Sequence, residues 1–330
     1  MRNNMKRIVL FSLIACLCVC LCGCSRKEPE PEAKPTEEKT IVVGFSQVGA
    51  ESDWRAANSI SMQQALSEEN GYRLIFSDAQ NRPDLQVTAI RNFIQQGVDY
   101  IVLAPTTETG WDTVLTEAKE AGIPVIIVDR MIEVSDDDLY VCWVGSDFRE
   151  EGRKATAWME QTFGDQPLKI VHLQGNHGST AQIGRTAGLD EGLSRNPDWE
   201  VVFRDDGNFT QAKGQELVQT LLENGTEFNV IYSENDNMAY GAVEALKNAG
   251  LVPGADVTIL SFDASRTALG MLMDGTISYD VECNPLHGPR VQAIIEQLEA
   301  GEQPPKLTYV EEAVFDREHI SQEIIDARGY

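Results

Sequence analysis

Residues 41–55 read Ile41-Val42-Val43-Gly44-Phe45-Ser46-Gln47-Val48-Gly49-Ala50-Glu51-Ser52-Asp53-Trp54-Arg55. The run Ile41–Ser46 is almost continuously apolar, the pattern of a strand buried on both faces of a sheet. A polar loop follows, then a helix expected near Trp54–Asn70 and ended by Gly71. Working outward, Arg73–Ser77 is the next strand. Asp84–Gln96 is helical by period, with Leu85, Ala89, Ile90 and Phe93 on one face and Gly97 closing it. Tyr100–Leu103 reads as strand, Gly110–Ala121 as helix and Ile123–Val128 as strand. Buried strands alternating with helices call for a parallel sheet covered on both faces.

The pattern then repeats. Strands at Leu168–Leu173, Trp199–Arg204, Val230–Tyr232 and Val257–Phe262 alternate with helices at Gly178–Ser194, Thr210–Asn224 and Asp236–Ala249. Two similar α/β halves follow one another, and 330 residues suffice for both. The tail, with a strand near Tyr279–Cys283 and a helix at Pro289–Ala300, offers a crossing back to the first half. The expected division is therefore an N-terminal lobe of residues 41–145 plus 283–310. A C-terminal lobe takes 146–282 plus 311–330. Open parallel sheets bind ligands at the carboxyl ends of their strands, so two facing lobes enclose a cleft.

The N-terminus is an address. Arg2, Lys6 and Arg7 precede an apolar run from Ile8 to Leu21, which fits a signal peptide and is short for a membrane span. The run ends in Leu21-Cys22-Gly23-Cys24, which resembles the lipobox of bacterial lipoproteins. That resemblance implies cleavage after residue 23 and a lipid on Cys24. Cys16, Cys18, Cys20 and Cys22 then leave with the discarded peptide. Cys142 and Cys283 sit in apolar stretches and read as buried thiols without a disulfide. Residues 25–40, with three Pro and many charges, form a tether reaching on the order of 50 Å if extended.

Charge narrows the function. Asp+Glu number 52 against 27 Lys+Arg, a net of −25. Loss of residues 1–23 takes the cations to 24 and the net to −28. Nucleic-acid binding depends on cations that displace phosphate counterions, so this chain is a poor candidate for it. A lipidated Cys24 holds such an acidic body at a membrane without basic residues, because acyl burial contributes about 0.8 kcal/mol per CH₂.

The informative residues follow the strands. They are Ser46–Arg55, Ala104–Trp111 and Asp129-Arg130 in the first half. In the second half they are Gly175–Gly178 with Arg185 behind, Gly207–Thr210, Ser233–Asp236 and Phe262-Asp263-Ala264. Aromatic faces cover the C–H patches of a sugar ring, while carboxylates, amides and guanidinium groups meet its hydroxyls. Here the chain resembles the type I periplasmic sugar-binding proteins, the ribose- and galactose-binding group that serves ABC importers. The segment Phe45-Ser46-Gln47-Val48-Gly49…Glu51-Ser52…Trp54-Arg55-Ala56-Ala57 is closest to the galactofuranose-binding members. Ala104-Pro105…Thr109-Gly110-Trp111, Asp129-Arg130, Leu173-Gln174-Gly175, Asn235-Asp236…Met238 and Val281-Glu282…Pro285 fit the same pattern.

The resemblance implies an α/β fold of two Rossmann-like lobes, parallel sheets flanked by helices with a ligand cleft between them. It implies a monosaccharide ligand, an ABC permease as partner, an extracytoplasmic location and a monomer. Trp54 then stacks on the sugar. Glu51, Ser52, Arg55, Asp129 and Arg130 bond hydroxyls from the first lobe, and Arg185, Phe209, Asn235, Asp263 and Glu282 contribute from the second. Phe262-Asp263-Ala264-Ser265 and Asn176-His177-Gly178 depart from the family pattern. Trp111 reads as packing, Asp136–Asp138 as a solvated turn and His177 as a surface residue.

Two other classes were weighed. A glycosidase needs two carboxylates roughly 5–10 Å apart, and Asp129 with Asp263 is the pair on offer. An Asp beside Arg stays ionised and makes a poor general acid. The sequence holds no Gly-x-Ser-x-Gly, Walker loop or His-Glu-x-x-His. The expectation is a binding protein with no catalytic residue, cofactor or metal. A repressor of related fold carries a basic helix-turn-helix where this chain has a lipobox and an acidic tether. Presentation of sugar to a membrane sensor kinase is the remaining alternative.

Overall fold

The computed structural model describes residues 40–330; the signal segment, Cys24 and nearly all of the tether lie outside the described residues. The first half runs β1 (Ile41–Gln47), α1 (Asp53–Ala65), β2 (Tyr72–Asp78), α2 (Pro83–Gln96), β3 (Tyr100–Leu103), α3 (Asp112–Glu120), β4 (Val125–Val128) and β5 (Cys142–Gly145). The second begins with α4 (Phe148–Phe163), β6 (Leu168–Gln174), α5 (Thr180–Arg195), β7 (Trp199–Asp206) and α6 (Gln211–Glu223). It continues with β8 (Val230–Ser233), α7 (Asp236–Asn248), β9 (Thr258–Asp263), α8 (Arg266–Asp274) and β10 (Tyr279–Glu282). The tail adds α9 (Gly288–Glu299), β11 (Leu307–Tyr309), β12 (Val314–Asp316) and α10 (Gln322–Ala327).

Two six-stranded sheets result. Their orders are β2-β1-β3-β4-β5-β11 and β7-β6-β8-β9-β10-β12. The pairings are parallel except β10 with β12. Each order reverses beside the first strand of its half, so each sheet opens a crevice there at its carboxyl edge. The strands are buried as the continuous apolar runs required. One face of the first sheet packs Ile101, Leu103 and Ile127 with Phe93, Trp111 and Leu115. The other packs Phe45, Val102 and Val128 with Met62 and Val291. Burying each such side chain contributes about 1.5–3 kcal/mol.

The chain passes between the sheets three times, after β5, after β10 and between β11 and β12. After the second passage α9 packs on α1, where Asn58 Nδ2 donates to Pro285 O at 2.8 Å and Gly288 N donates to Ser61 Oγ at 3.0 Å. Trp111 is core and its Nε1 donates to Thr107 O at 2.8 Å. Cys142 and Cys283 are buried free thiols.

Two differences from the sequence reading have physical causes. Helix boundaries follow caps rather than apolar periods. Ser52, Ser179, Thr210, Asn235 and Ser265 each accept a backbone N–H of the first turn, which sets the start of α1, α5, α6, α7 and α8. Helix α4 is missing from the sequence reading although Phe148, Gly152, Ala155 and Met159 lie on one buried face at helical spacing; two of these four are Gly or Ala, and Glu151 and Thr156 are buried beside them, so its apolar signal is weak. It lies tight against α5. A Cβ on Gly188 would come within 2.5 Å of the Gly152 backbone, and one on Gly152 within 2.7 Å of Arg185 O.

Behind the second strand edge lie three buried aspartates, Asp236, Asp263 and Asp280. Asp236 accepts from Ser261 Oγ at 2.6 Å and from Ser265 N at 2.9 Å, so both of its oxygens are supplied with donors. Asp280 accepts from Ala264 N at 3.2 Å on one oxygen; the other takes no hydrogen bond from the described protein groups. Burial, and then the Asp236 and Asp263 charges, push Asp280 well above the usual carboxylate range, and burial carries Asp236 to about 6. The fold prefers neutral Asp280. Its contribution is complete below the unfolded value near 3.8 and is lost as pH rises through the raised folded value. Asp280→Asn, which cannot ionise, is expected to melt higher than wild type at pH 8. At pH 4 the two should coincide. Equal melting at both pH values, or a lower value for the variant at pH 8, contradicts a fold that prefers neutral Asp280.

Candidate functional site

The carboxyl edges of the two sheets face each other across a small cavity of ≈ 30 Å³. Glu51, Ser52, Trp54, Arg55, Asp129 and Arg130 line it from the first half, and Arg185, Phe209, Asn235 and Asp263 from the second. Glu282 is placed elsewhere. It accepts from Asn284 Nδ2, Arg328 Nη1, Tyr330 Oη and Ala313 N, and so anchors the C-terminal segment. Phe148, Ala181 and Cys283 complete the wall and were not among the residues chosen from sequence. His177 is exposed.

The lobes are shut on this cavity. Asp53 N donates to Asn237 Oδ1, Met131 N to Thr180 Oγ1 and Asn176 Nδ2 to Asn81 Oδ1, each at 3.0 Å; Glu108 N donates to Gly178 O at 3.2 Å. Trp54 joins the apolar cluster of the second half although it sits on α1.

Local structure explains where each side chain points. Asp129 directly follows β4 and Asp263 ends β9, corresponding places in the two sheets, and both have positive φ, 65° and 115°. Left-handed backbone is costly for a non-glycine residue and is concentrated at functional edges. Phe209 also has positive φ, 58°, and Asn235 Nδ2 donates to its carbonyl at 3.0 Å. A Cβ on Gly175 would fall 1.8 Å from the Phe209 ring, so only glycine lets the ring lie there. Trp54 Nε1 donates to Cys283 O at 2.7 Å, which fixes the indole plane.

Three buried arginines dominate the electrostatics, and they differ. Arg55 is satisfied by protein: it reaches Glu51 Oε1 and Gln47 Oε1, each at 3.2 Å, and Asp129 Oδ2 at 2.8 Å. Burial opposes the charge of Asp129, but Arg55 and then Arg130 outweigh it and hold this carboxyl below its usual range. Arg185 is also satisfied, by Glu151 Oε2 at 2.6 Å and by the Glu234 carbonyl, with Asp263 Oδ1 at 3.7 Å. Arg130 is not. Among the described residues its one hydrogen bond is Nη1 to Thr106 O at 3.5 Å, its nearest carboxylates stand 3.8 and 4.0 Å away, and Nε has no partner. Burial, then Arg55 beside it, bring its pKa down to about 10. Its guanidinium lies 5.5 Å from the Phe209 ring centre. Glu51 Oε2 is likewise buried without a partner. Burial pushes Asp263 well above the usual range, with Arg185 opposing and Asp236 and Glu151 adding to the rise.

The cavity thus presents charged donors, carboxyl groups and two aromatic faces at one small volume. That set binds a neutral polyhydroxylated ring: hydroxyls that both donate and accept match it, and the rings cover the apolar faces.

A family model described as the periplasmic binding protein domain matches residues 43–287. The chain belongs to that family. As a periplasmic binding protein it is 37% identical to the galactofuranose-binding protein YtfQ of Escherichia coli (strain K12) over 279 residues, which is 83% of this chain and 87% of that one. A solved Mycobacterium smegmatis structure in complex with β-D-fucofuranose is 40% identical, with a TM-score of 0.82 over 87% of this chain and 97% of that one. The arabinose transporter binding protein of Shewanella sp. ANA-3, bound to α- and β-L-arabinofuranose, is 39% identical with a TM-score of 0.81 over 88% and 99%. The two-lobed α/β architecture is that of the type I periplasmic binding proteins.

Proposed function

We propose that this protein is a lipid-anchored, extracytoplasmic solute-binding protein that captures a monosaccharide in furanose form and delivers it to an ABC permease. The carrying observation is the buried, largely unpartnered Arg130 guanidinium aimed into a closed cavity with Phe209 beside it. A donor set this incomplete inside protein is costly unless a ligand supplies oxygens. The relatives that bind galactofuranose, fucofuranose and arabinofuranose support the furanose form. The protein is not an enzyme: it captures by closing residues 41–145 with 283–310 against 146–282 with 311–330 about the three passages, and it acts as a monomer. Cys24 carries the lipid and holds the body at the outer face of the cell membrane.

Thermal unfolding against a panel of sugars tests this reading. Sugars that populate furanose rings, D-galactose, L-arabinose and D-fucose, should raise the melting temperature. A sugar at 100 times its dissociation constant stabilises by about 2.7 kcal/mol. No shift with any of them overturns the reading. Metabolic labelling with palmitate should mark wild type and not Cys24→Ser; equal labelling contradicts the anchor.

A further inference from the structure

A second cluster, which borders the sugar cavity through Cys283, lies where the three passages meet. Glu151 stands in the first turn of α4 after the first passage, Cys283 begins the second and Glu312 lies in the third. One carboxylate oxygen from each glutamate and Cys283 Sγ lie within 4.8 Å of one another. Glu151 is 1% exposed, its Oε1 meets no nitrogen or oxygen donor among the described residues, and its carboxylate interacts with the Cys283 thiol. Its Oε2 is held by Arg185 Nε at 2.6 Å, which fixes the carboxylate plane and leaves Oε1 for the cluster. Glu312 Oε1 accepts from Ser146 Oγ and from Asn284 N, each at 2.7 Å, which orients that side chain too. Ser146 Oγ is also 3.4 Å from Cys283 Sγ.

From this geometry we infer that Glu151, Cys283 and Glu312 form a site for a thiophilic divalent cation, of the zinc or cadmium class, at the hinge between the lobes. A thiolate with two carboxylates selects a borderline-to-soft ion over magnesium or calcium, which prefer all-oxygen shells. Bonds of about 2.0–2.3 Å require the three donors to draw together slightly, and a water or Ser146 completes a tetrahedron. Arg185 and the Asn284 amide supply the outer shell that such ligands need. Binding forms a metal–sulfur bond and releases the thiol proton to solvent. Glu312 also lines a surface groove beside Lys154, Trp158 and Tyr279, which gives the ion a path from outside. Because the donors come from all three passages, the ion ties them together and binds only the folded chain.

The test adds cadmium, then zinc, to the metal-free full chain, with Cys283→Ser, Glu312→Gln and Cys142→Ser alongside. Cadmium should produce an ultraviolet thiolate charge-transfer band that is larger in wild type and Cys142→Ser than in Cys283→Ser. The cysteines of residues 16–24 are common to all and cancel in the difference. Glu312→Gln should retain the wild-type fold and bind the ion roughly tenfold or more weakly. Zinc should raise the melting temperature of wild type more than that of Glu312→Gln at the same concentration. A flat difference spectrum between wild type and Cys283→Ser overturns the site. So does a zinc-induced shift of equal size in wild type and Glu312→Gln.

Discussion

Arg130→Ala should lose sugar affinity on the order of 100-fold or more while melting at or slightly above the wild-type temperature. Hydrogen bonds involving a charged group contribute about 1.5–3 kcal/mol each, and a guanidinium offers a ligand two or more. The protein itself receives little from this side chain: a single 3.5 Å bond to Thr106 O and two carboxylates near the limit of an ion pair. Burial and the neighbouring Arg55 charge weigh against it, as its lowered pKa of about 10 records. Arg130 therefore costs folding free energy that ligand binding recovers, a trade usual at binding sites. Arg130→Lys should recover only part of the affinity, because one ammonium cannot reproduce a planar fork. Calorimetric titration and thermal unfolding without sugar check both halves. A large drop in melting temperature with unchanged affinity would contradict this role.

Arg185→Met should behave in the opposite way. This guanidinium is engaged by Glu151, by the Glu234 carbonyl and, more distantly, by Asp263. Its removal leaves buried acids uncompensated and the Glu234 carbonyl without its donor, which costs about 3–5 kcal/mol in comparable buried pairs. The melting temperature should fall on the order of 10 °C, and sugar binding should be lost with it. Arg185→Lys should rescue little, since one nitrogen cannot reach partners on α4, β8 and β9 together. Glu151→Gln with Arg185→Met should recover part of the stability by removing the stranded charge. If the double variant is as unstable as the single, the stranded Glu151 charge is not the cause.

The contrast between these arginines shows what was legible in the sequence. Both sit after or behind strands rich in Val, Ile and Leu, and those runs fixed the α/β alternation because parallel strands must be apolar on both faces. The strand ends then named most of the cavity. Which arginine is satisfied by protein depends on α4, whose Glu151 holds Arg185. The buried face of that helix holds only Phe148 and Met159 as large apolar residues, with Gly152 packed backbone on backbone against Gly188 between them, so its stripe is faint. Glu282 and Cys283 show the other limit. Adjacent residues at the end of a strand point to opposite sides. Cys283, read as a buried thiol, lines the cavity, while Glu282 turns to Arg328 and Tyr330, partners 46 and 48 residues away. Local pattern carries no record of that C-terminal segment folding back.

The most direct measurement is calorimetric titration of the purified protein with D-galactose and L-arabinose, each beside its methyl pyranoside, which cannot open to a furanose. The account predicts saturable heat with at least one free sugar, at a dissociation constant on the order of micromolar or tighter, and none with the locked pyranosides. Absence of heat with every free sugar, or equal binding of a locked pyranoside, would contradict a furanose held between Arg130, Trp54 and Phe209.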